Sequence, residues 1–434
     1  MGFRLFSNPA APIAINFGSS SVKLLQQSPA TREGGHQPSL AAAAELTIPE
    51  PGQHTLDDLF LFYECELPRI LREGRFKGRR VICSIPDSQT IVQHMQLPPQ
   101  DGMKRDDVIK AQLQMQMGIA PQSAVVRSID VADLNRAGQN RTEIICFAIP
   151  REVVMRYVAL MAKFKMEVTG VYTEAMAMVR AFDHINRRKG DEHLTSLYID
   201  LGYSGTRVAI AHGTQIAFAR SIQIGGQHFD NAIMKQLGCT AAEARTHRLA
   251  MEAANQTARP TPAAPAAPPA AEADEAGDMA RIAAAMAKAD QDGTQPQHEP
   301  GVTVVEGERR KGVLPASLAA SVNPEDTDAK AGAELDLTEP LDTIADELSM
   351  CLRYHRGLFP DRNIDRTILV GGEARQKWLC QHVVRALRLP AQLGDPLARL
   401  KSASEPINTP GLDLNHPQPG WTVACGLSAT IDHE

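Results

Sequence analysis

Paired cysteines are missing from this sequence of 434 residues. The seven cysteines are odd in number, are scattered along the chain and include no C-x-x-C pair. Small secreted domains that depend on disulfides need an even, closely patterned set of cysteines. We therefore interpret these side chains as reduced thiols of a cytosolic protein.

Long hydrophobic runs and basic stripes are missing as well. No apolar stretch reaches the roughly 18 residues that a membrane-spanning helix needs, and the N-terminus has no signal-peptide pattern. Lysines and arginines form no stripe interleaved with aromatics, and the net charge is −6. We expect a cytoplasmic protein whose partners do not include nucleic acid.

The chain does have enough apolar residues for more than one core. Hydrophobic residues make up 43% of it, which suffices for two or more ordinary domains. Residues 256–333 differ, because they are rich in Ala, Pro, Asp and Glu and cannot bury a core. We predict a disordered insertion there, either a solvated linker or a tether. Residues 1–12 predict a frayed leader, although its large apolar residues leave contact with a membrane or partner open.

The stretch YIDLGYSGTRVAIAHGTQIAFARSIQIGG, residues 198–226, has the layout of a phosphate-binding hairpin. Residues 197–201 predict a buried strand and residues 206–211 its hairpin partner. Residues 215–222 predict a third strand, which leads into a helix.

Small and acidic residues stand where such a hairpin needs them. Gly202 and Gly205 allow the turn to close around an anion, and Asp200 at the strand end can hold a metal through water. The helix after Gly225 and Gly226 directs its N-terminus at a phosphate. On its own, the pattern also fits a turn that binds nothing.

A second copy of this plan makes the binding interpretation stronger. PIAINFGSSSVKLL, residues 12–25, again combines an apolar strand, a polar end residue, a glycine, a run of hydroxyls and a strand with a basic residue. Two such hairpins in one chain predict two related halves that face one nucleotide.

Between the hairpins the pattern alternates. Thr55 is a plausible N-cap for a helix ending near Gly74, and Pro68 inside it predicts a kink or a split into two helices. Strand patterns at 80–84 and 90–97 follow. Helix and strand patterns within 98–170 then predict a small α+β unit.

A glycine pair near the C-terminus adds a third motif. In ILVGGEA, residues 368–374, Gly371 and Gly372 lie between a predicted strand and a predicted helix. Backbone without side chains lets a flat ring such as adenine lie against it, although an ordinary strand-to-helix turn has the same pattern. The order of phosphate motif, connecting segment, phosphate motif and adenosine motif resembles the actin-like ATPase superfamily.

Within that superfamily, the sequence resembles the PilM family of type IV pilus assembly proteins. The α+β unit stands in the first half, as in FtsA and PilM and unlike sugar kinases, actin and heat-shock chaperones. The phrases SSSVKLL, KGRRVICSIPD, YIDLGYSGTRVAI, IQIGGQHFDNAI and LVGGEARQKWL are similar to PilM, and the resemblance extends over the whole chain except 256–333. It implies an α/β, actin-like ATPase fold of two related halves with a small α+β subdomain inserted in the first half.

The resemblance also implies a division of the chain. We expect a leader (1–12), a first actin-like half (13–97), the inserted α+β subdomain (98–170), a connecting helix (171–195), the first part of the second half (196–255), the disordered insertion (256–333), and the remainder of the second half with the adenosine motif and a C-terminal helix (334–434).

By this resemblance, the chain binds ATP or ADP together with Mg²⁺. The matched positions are Gly18, Ser19, Ser20, Ser21 and Lys23 in the first hairpin, Asp200 (facing the metal), Gly202 and Thr206 (facing the phosphates) in the second, Gly225 and Gly226 before the nucleotide-facing helix, and Gly371, Gly372 and Glu373 in the adenosine motif.

One position departs from the family pattern. Asn16 stands at the end of the first strand, where the family has an aspartate. An amide still hydrogen-bonds to a hydrated Mg²⁺ but brings no negative charge, so Mg²⁺ should be held less well. Since no residue stands out as a general base either, we expect at most a slow ATPase.

The function that the resemblance implies is that of a scaffold at the inner face of the cytoplasmic membrane. It would hold the short cytoplasmic tail of a bitopic inner-membrane protein of the PilN type. The groove would lie between the first half and the α+β unit and would offer apolar pockets or an open strand edge. Membrane association would be peripheral, through this partner. Other pilus assembly proteins, and further copies of this chain, stay open as partners.

Three alternatives stay open. An FtsA-like, membrane-associated protein that forms filaments normally has a C-terminal amphipathic helix, which the tail SATIDHE does not provide. A small-molecule kinase would need a base near the γ-phosphate, and Asn16 argues against it. The cytoplasmic component of a type II secretion system is the nearest relative of the preferred function.

Overall fold

The chain was analysed as a computed structural model, which describes residues 10–28, 38–98, 104–117, 120–136, 139–186, 188–255, 335–400 and 412–429. The predicted insertion at 256–333 and residues 1–9 of the predicted leader lie outside the described residues.

Strands and helices alternate along these ranges. The strands are β1 (Ile13–Phe17), β2 (Ser21–Gln27), β3 (Leu40–Thr47), β4 (Arg80–Ser84), β5 (Ile91–Leu97), β6 (Ala124–Arg136), β7 (Gln139–Pro150), β8 (Glu167–Tyr172), β9 (Thr195–Leu201), β10 (Thr206–His212), β11 (Gln215–Ile222), β12 (Arg366–Val370) and β13 (Ala391–Leu393). The helices are α1 (Leu56–Glu73), α2 (Arg105–Met117), α3 (Arg151–Lys163), α4 (Glu174–Arg180), α5 (Gly226–Leu237), α6 (Ala241–Asn255), α7 (Thr338–Leu358), α8 (Lys377–Leu387) and α9 (Thr422–Ala429).

Two five-stranded sheets share one topology. The first has the order β3-β2-β1-β4-β8 and the second the order β11-β10-β9-β12-β13. In both orders, the first three strands are antiparallel and form a meander. The third, fourth and fifth strands then pair in parallel. This duplication confirms the predicted α/β fold of two related halves. The predicted strands at 197–201, 206–211 and 215–222 are also confirmed, as β9, β10 and β11.

A third sheet, in the order β5-β7-β6, forms the centre of the small α+β unit. Strand β5 pairs with β7 along its whole length, from Ile91 opposite Ala148 to Leu97 opposite Thr142. The expected boundary after residue 97 therefore separates β5 from its own sheet. At the other boundary, β8 continues past residue 170 to Tyr172 within the first sheet. Hydrogen bonding thus places 91–97 with the small unit, because strand pairing, not position in the chain, defines the sheet.

Helices α4 and α9 pack between the two large sheets. Ala177 of α4 lies in one apolar cluster with Ala14, Ile82, Val423 and Leu427, which come from the first sheet and from α9. Other residues of α4 join residues of the second sheet in a further apolar cluster. Two helices that follow different halves of the chain are therefore buried against both sheets, which fixes how the halves face each other.

Helix α1 begins with a capping box: the Thr55 side chain accepts from Asp58 N–H, and the Asp58 side chain accepts from Thr55 N–H. The predicted split at Pro68 is wrong, because the helix is continuous from Leu56 to Glu73. Phe60 and Ile70 lie on opposite sides of Pro68 and pack in the same apolar cluster. Burying both ends of the helix outweighs the roughly 3 kcal/mol that an internal proline costs.

In the parts of the chain that the structure describes, no helix is both long enough and apolar enough to cross a membrane.

The contact between α9 and α4 requires a glycine. A Cβ at Gly426 would overlap the carbonyl oxygen of Ala177, which belongs to the backbone and cannot rotate away. We expect Gly426→Ala to lower the free energy of unfolding by about 1–3 kcal/mol, as other overpacking changes do. Urea denaturation measures this. Gly420→Ala is the control, since its Cβ would meet no atom nearer than 3.5 Å. An equal loss in both variants would contradict the close packing of α9.

Candidate functional site

The turn between β1 and β2 closes on itself through its backbone. Gly18 N–H donates to the carbonyl oxygen of Ser21 at 3.1 Å. A Cβ at Gly18 would lie 2.8 Å from the same oxygen, so the turn needs a glycine there. The carbonyl oxygen of Ser20 accepts from Ile48 N–H at 3.0 Å, which ties the turn to the end of β3.

The turn between β9 and β10 forms one unit with the start of α5. Gly202 N–H donates to the carbonyl oxygen of Gly205, and the carbonyl oxygen of Gly202 accepts from Gly226 N–H at 3.1 Å. A Cβ at Gly225 would lie 2.5 Å from that carbonyl oxygen, so a side chain there would push α5 away from the turn. The Thr206 hydroxyl donates to the carbonyl oxygen of Ile224 at 2.8 Å, and Thr206 is therefore committed to the hairpin.

The two turns meet although they lie far apart in sequence. Ser204 N–H donates to the hydroxyl oxygen of Ser19 at 3.2 Å, across a separation of 185 residues. This direct contact brings together the two predicted phosphate motifs.

The predicted adenosine motif joins them. Gly371 has a φ of 97°, and a Cβ there would collide with the Oδ1 atom of Asp200. Gly372 is exposed, and its missing side chain would point into open space. On its other side, Gly372 lies near Gly420, and a Cβ on Gly420 would lie 3.5 Å from Gly372 Cα and 3.7 Å from Lys23 Cε. We call the meeting point of residues 18–20, 202–205 and 371–372 the central junction.

Lys23 has partners inside the protein. Its Nζ donates to the Ser21 hydroxyl at 2.6 Å and forms a 3.0 Å ion pair with Glu45. Burial alone would raise the pKa of Glu45, but the charge of Lys23 and the hydrogen bonds from Ser21 and Lys23 lower it below its usual value. The ammonium group is thus held at the edge of the central junction.

Arg207 of β10 connects carboxylates from both halves. Its Nε and Nη2 donate to Oδ2 of Asp200 at 3.1 and 3.0 Å, and its Nη1 pairs with Oε2 of Glu174 at 3.0 Å. Glu174 Oε2 also accepts from Asp87 N–H at 3.0 Å. Burial opposes the charge of Arg207, but the three carboxylates outweigh it and raise the pKa of the guanidinium. We call Asp87, Glu174, Asp200 and Arg207 the Arg207 cluster.

Sequence reasoning found only Asp200 in this cluster. The signal for Arg207 was its place in the strand: it shares a face of β10 with Ala209 and Ala211, which are both fully buried. An arginine on a buried face needs carboxylate partners, because an unpaired buried charge is strongly destabilising.

A second buried network holds the residue after the glycine pair. Arg248 of α6 is fully buried, donates to Oδ1 of Asp230 at 2.5 Å and pairs with the carboxylate of Glu373. Gln376 also donates to Glu373. Glu373, which the resemblance assigned to the adenosine motif, is therefore fixed by α5 and α6. Sequence reasoning missed Asp230 and Arg248; the signal was a charged residue, Asp230, on the apolar face of α5 that also carries Ile233.

The metal expected at Asp200 finds few ligands. Asn16 is buried, and its Oδ1 accepts from the Ser84 hydroxyl at 2.9 Å. Oδ2 of Asp200 is bound by Arg207, as described above. Oδ1 of Asp200 is buried, has no hydrogen-bond partner among the residues that the structure describes, and lies against Gly371. Among the described residues, no group of three or more His, Cys, Asp or Glu side chains is arranged to hold a metal ion.

A groove of about 510 Å³ follows the outer edge of β6, the end strand of the small sheet in the described chain. Its walls come from Asp106 and Lys110 of α2, from Val125 and Arg127 of β6, and from Arg151 at the start of α3. Three cations and one anion line it, together with a smaller apolar area. An edge strand beside such a groove can accept an extended peptide.

The pKa of Glu174 gives a pH prediction. Burial raises it to about 7, against the lowering effect of Arg207. The folded protein thus binds the proton of the Glu174 carboxyl more tightly than the unfolded chain does. The stability that this proton contributes is fully present below about pH 4.5 and is lost as the pH rises to about 7. We subtract the unfolding free energy of the wild type from that of Glu174→Gln. This difference should increase by up to about 3 kcal/mol between about pH 5 and about pH 8. Urea denaturation at both pH values tests this, and a pH-independent difference would contradict it.

Comparison with known proteins identifies the family. The model of the type IV pilus assembly protein PilM matches residues 14–258. Among solved structures, the chain is similar to one in the PilM-PilN type IV pilus biogenesis complex, with 13% identity, 97% of this chain and 98% of that chain covered, and a TM-score of 0.64. Ethanolamine utilization protein EutJ from Carboxydothermus hydrogenoformans gives 11% identity, coverage of 97% and 90%, and a TM-score of 0.44. MreB5 of Spiroplasma citri bound to ADP gives 12% identity, covers 98% of this chain and 99% of that chain, and has a TM-score of 0.42.

The PilM match covers more than half of the chain, and the solved PilM-PilN complex has a chain of the same fold. This chain belongs to the PilM family of type IV pilus assembly proteins.

Proposed function

We propose that this chain is a cytoplasmic scaffold of type IV pilus assembly that binds an adenine nucleotide, ATP or ADP, at the central junction. The observation that carries the proposal is the hydrogen bond from Ser204 N–H to Ser19, which brings two glycine-containing turns from related halves to one point. Turns built on glycine let a phosphate approach the backbone closely. The first N–H groups of α5 donate to the 202–205 turn and to Gly225, so α5 supports the second turn rather than facing the phosphates.

The positions around the junction divide the nucleotide between them. Gly18 to Ser21 and Gly202 would hold the phosphates, with Lys23 near enough to contribute its charge. Gly372 would carry the adenine, since it is exposed and has open space above its Cα. Gly226 and Glu373 touch each other, because a Cβ at Gly226 would lie 2.6 Å from Glu373 Oε1. They would therefore shape the wall between the phosphates and the base.

Hydrolysis has weaker support than binding. Asn16 brings no charge, and Oε2 of Glu174 already accepts from Arg207 and from Asp87 N–H. We propose at most a slow ATPase. The geometry of Asp200 likewise gives little support for bound Mg²⁺, because one of its oxygens accepts from Arg207 and the other lies against Gly371.

For the protein partner, we propose the cytoplasmic tail of a bitopic inner-membrane protein of the PilN type, bound in the groove along β6. The solved relative of the same fold is a complex of PilM with PilN. The groove has an edge strand to which an extended peptide can add, and apolar side chains such as Ile109 and Val126 among its lining. It lies within the small α+β unit, not between that unit and the first half as the resemblance implied. Binding this tail would place the scaffold at the inner face of the cytoplasmic membrane.

Filling the space above Gly372 tests the nucleotide site. Gly372 has φ −64° and ψ −38°, so any L residue fits its backbone. We expect Gly372→Phe to weaken ATP binding by at least about tenfold by occupying the place of the adenine, and Gly372→Ala to change it by less than about threefold. Calorimetric titration with ATP measures both. Unchanged binding by a folded Gly372→Phe variant would exclude adenine from this position.

Blocking the groove tests the peptide site. Ser128 is half-buried and lines the groove. We expect Ser128→Trp to weaken binding of a labelled peptide, copied from the cytoplasmic tail of the PilN-type protein of the same pilus machine, by at least about tenfold. Ser123→Trp is the matched control, because Ser123 is exposed and lies outside the groove lining. Fluorescence anisotropy gives both affinities, and equal effects of the two tryptophans would argue against the groove.

A further inference from the structure

The Arg207 cluster lies where the resemblance expects a divalent cation. Asp200, the expected metal-facing residue, lies one residue before the end of β9, beside Gly371 of the central junction. Two nitrogens of Arg207, Nε and Nη2, donate to Oδ2 of Asp200, and the third, Nη1, pairs with Glu174. Its side chain is 15% exposed, and those of Asp200 and Glu174 are 3% and 1% exposed. These charges are therefore paired inside the protein and shielded from solvent.

A Mg²⁺ ion does not fit the same position. Mg²⁺ demands six oxygen ligands at about 2.0–2.1 Å and usually keeps several waters. Asp200 offers one oxygen that is shared with a guanidinium and one that is buried against Gly371. Asn16 already accepts from Ser84 and adds no charge. A cation placed at these oxygens would also be repelled by the positive charge of Arg207, whose Nη2 lies 3.0 Å from Oδ2 of Asp200.

We propose that the guanidinium of Arg207 takes the place of a divalent cation beside the central junction, so that this chain binds its nucleotide without Mg²⁺. Only the statement that the nucleotide is bound without Mg²⁺ rests on the proposed nucleotide site. In an active site that uses Mg²⁺, the ion bridges carboxylates and phosphates, which would otherwise repel each other. Here Asp200 is neutralised by a residue of the chain, and no bridging ion is needed before phosphates approach.

The neighbouring carboxylate is also held by the protein itself. The hydrogen bond from Asp87 N–H to Oε2 of Glu174 holds that carboxylate in place for Arg207.

The first test needs no nucleotide. Thermal unfolding is followed with MgCl₂ and with NaCl of equal ionic strength. We expect the wild-type midpoint to be the same in both salts. Arg207→Gln leaves the carboxylates without a cation, so it should gain several degrees in MgCl₂ only, and the double variant Asp200→Asn/Arg207→Gln should lose that gain. Arg220→Gln is the matched control, because it removes a buried arginine of the neighbouring strand β11 that pairs with Glu347.

If Arg207→Gln does not fold, Arg207→Lys keeps a cation and should behave as the wild type. A wild-type protein that Mg²⁺ stabilises by several degrees, with the effect lost in Asp200→Asn, would overturn the proposal.

The second test measures the Kd for ATP by calorimetry in MgCl₂ and in EDTA. We expect the two values to agree within about threefold, whereas a Kd weakened by about tenfold or more in EDTA would overturn the proposal. Absence of ATP binding in both solutions would contradict the proposed nucleotide site instead, and the unfolding series without nucleotide would still decide whether Arg207 acts as the cation.

Discussion

The structure depends most on one set of charges, the ion pairs that Arg207 makes across the two halves. Arg207 and Asp200 belong to the second sheet, whereas Glu174 and Asp87 follow strands of the first. Removing one partner of a buried ion pair costs about 3–5 kcal/mol, because the other charge is left buried and unpaired. The halves therefore cannot rotate far apart without breaking the ion pairs of Arg207 and leaving charged side chains unpaired. The same pairs set the electrostatics of the neighbouring junction.

Duplication of the sheet explains why the junction exists at all. Each half ends its first strand in a turn that only glycine can close, and packing of α4 and α9 between the sheets brings the turns face to face. The third motif arrives by an equally close approach, since Gly371 touches Asp200. Side chains are excluded at these contacts by space alone. What is left is a surface of backbone groups, which suits phosphates and a flat base.

The sequence predicted the features that local pattern controls. Buried strands such as β9 and β12 and the cap at Thr55 follow from periodicity and hydrogen-bonding chemistry, and they were found within a residue or two. The failures have one cause, which is that pairing and burial are properties of the fold. Strand β5 was expected in the first half but pairs with β7. A kink or a split was expected at Pro68, and the helix is not split because tertiary packing holds both its ends. The partners of Arg207 and Arg248 lie too far away in sequence to be paired by spacing.

The central claim is that one nucleotide lies against both turns, and hydrogen–deuterium exchange with and without ATP tests it most directly. The turns are 185 residues apart, so peptides covering them report independently. The account predicts that residues 18–21, 202–206 and 371–373 become protected together at one ATP concentration. Protection of one turn without the other, or of neither while ATP is bound elsewhere, would contradict it.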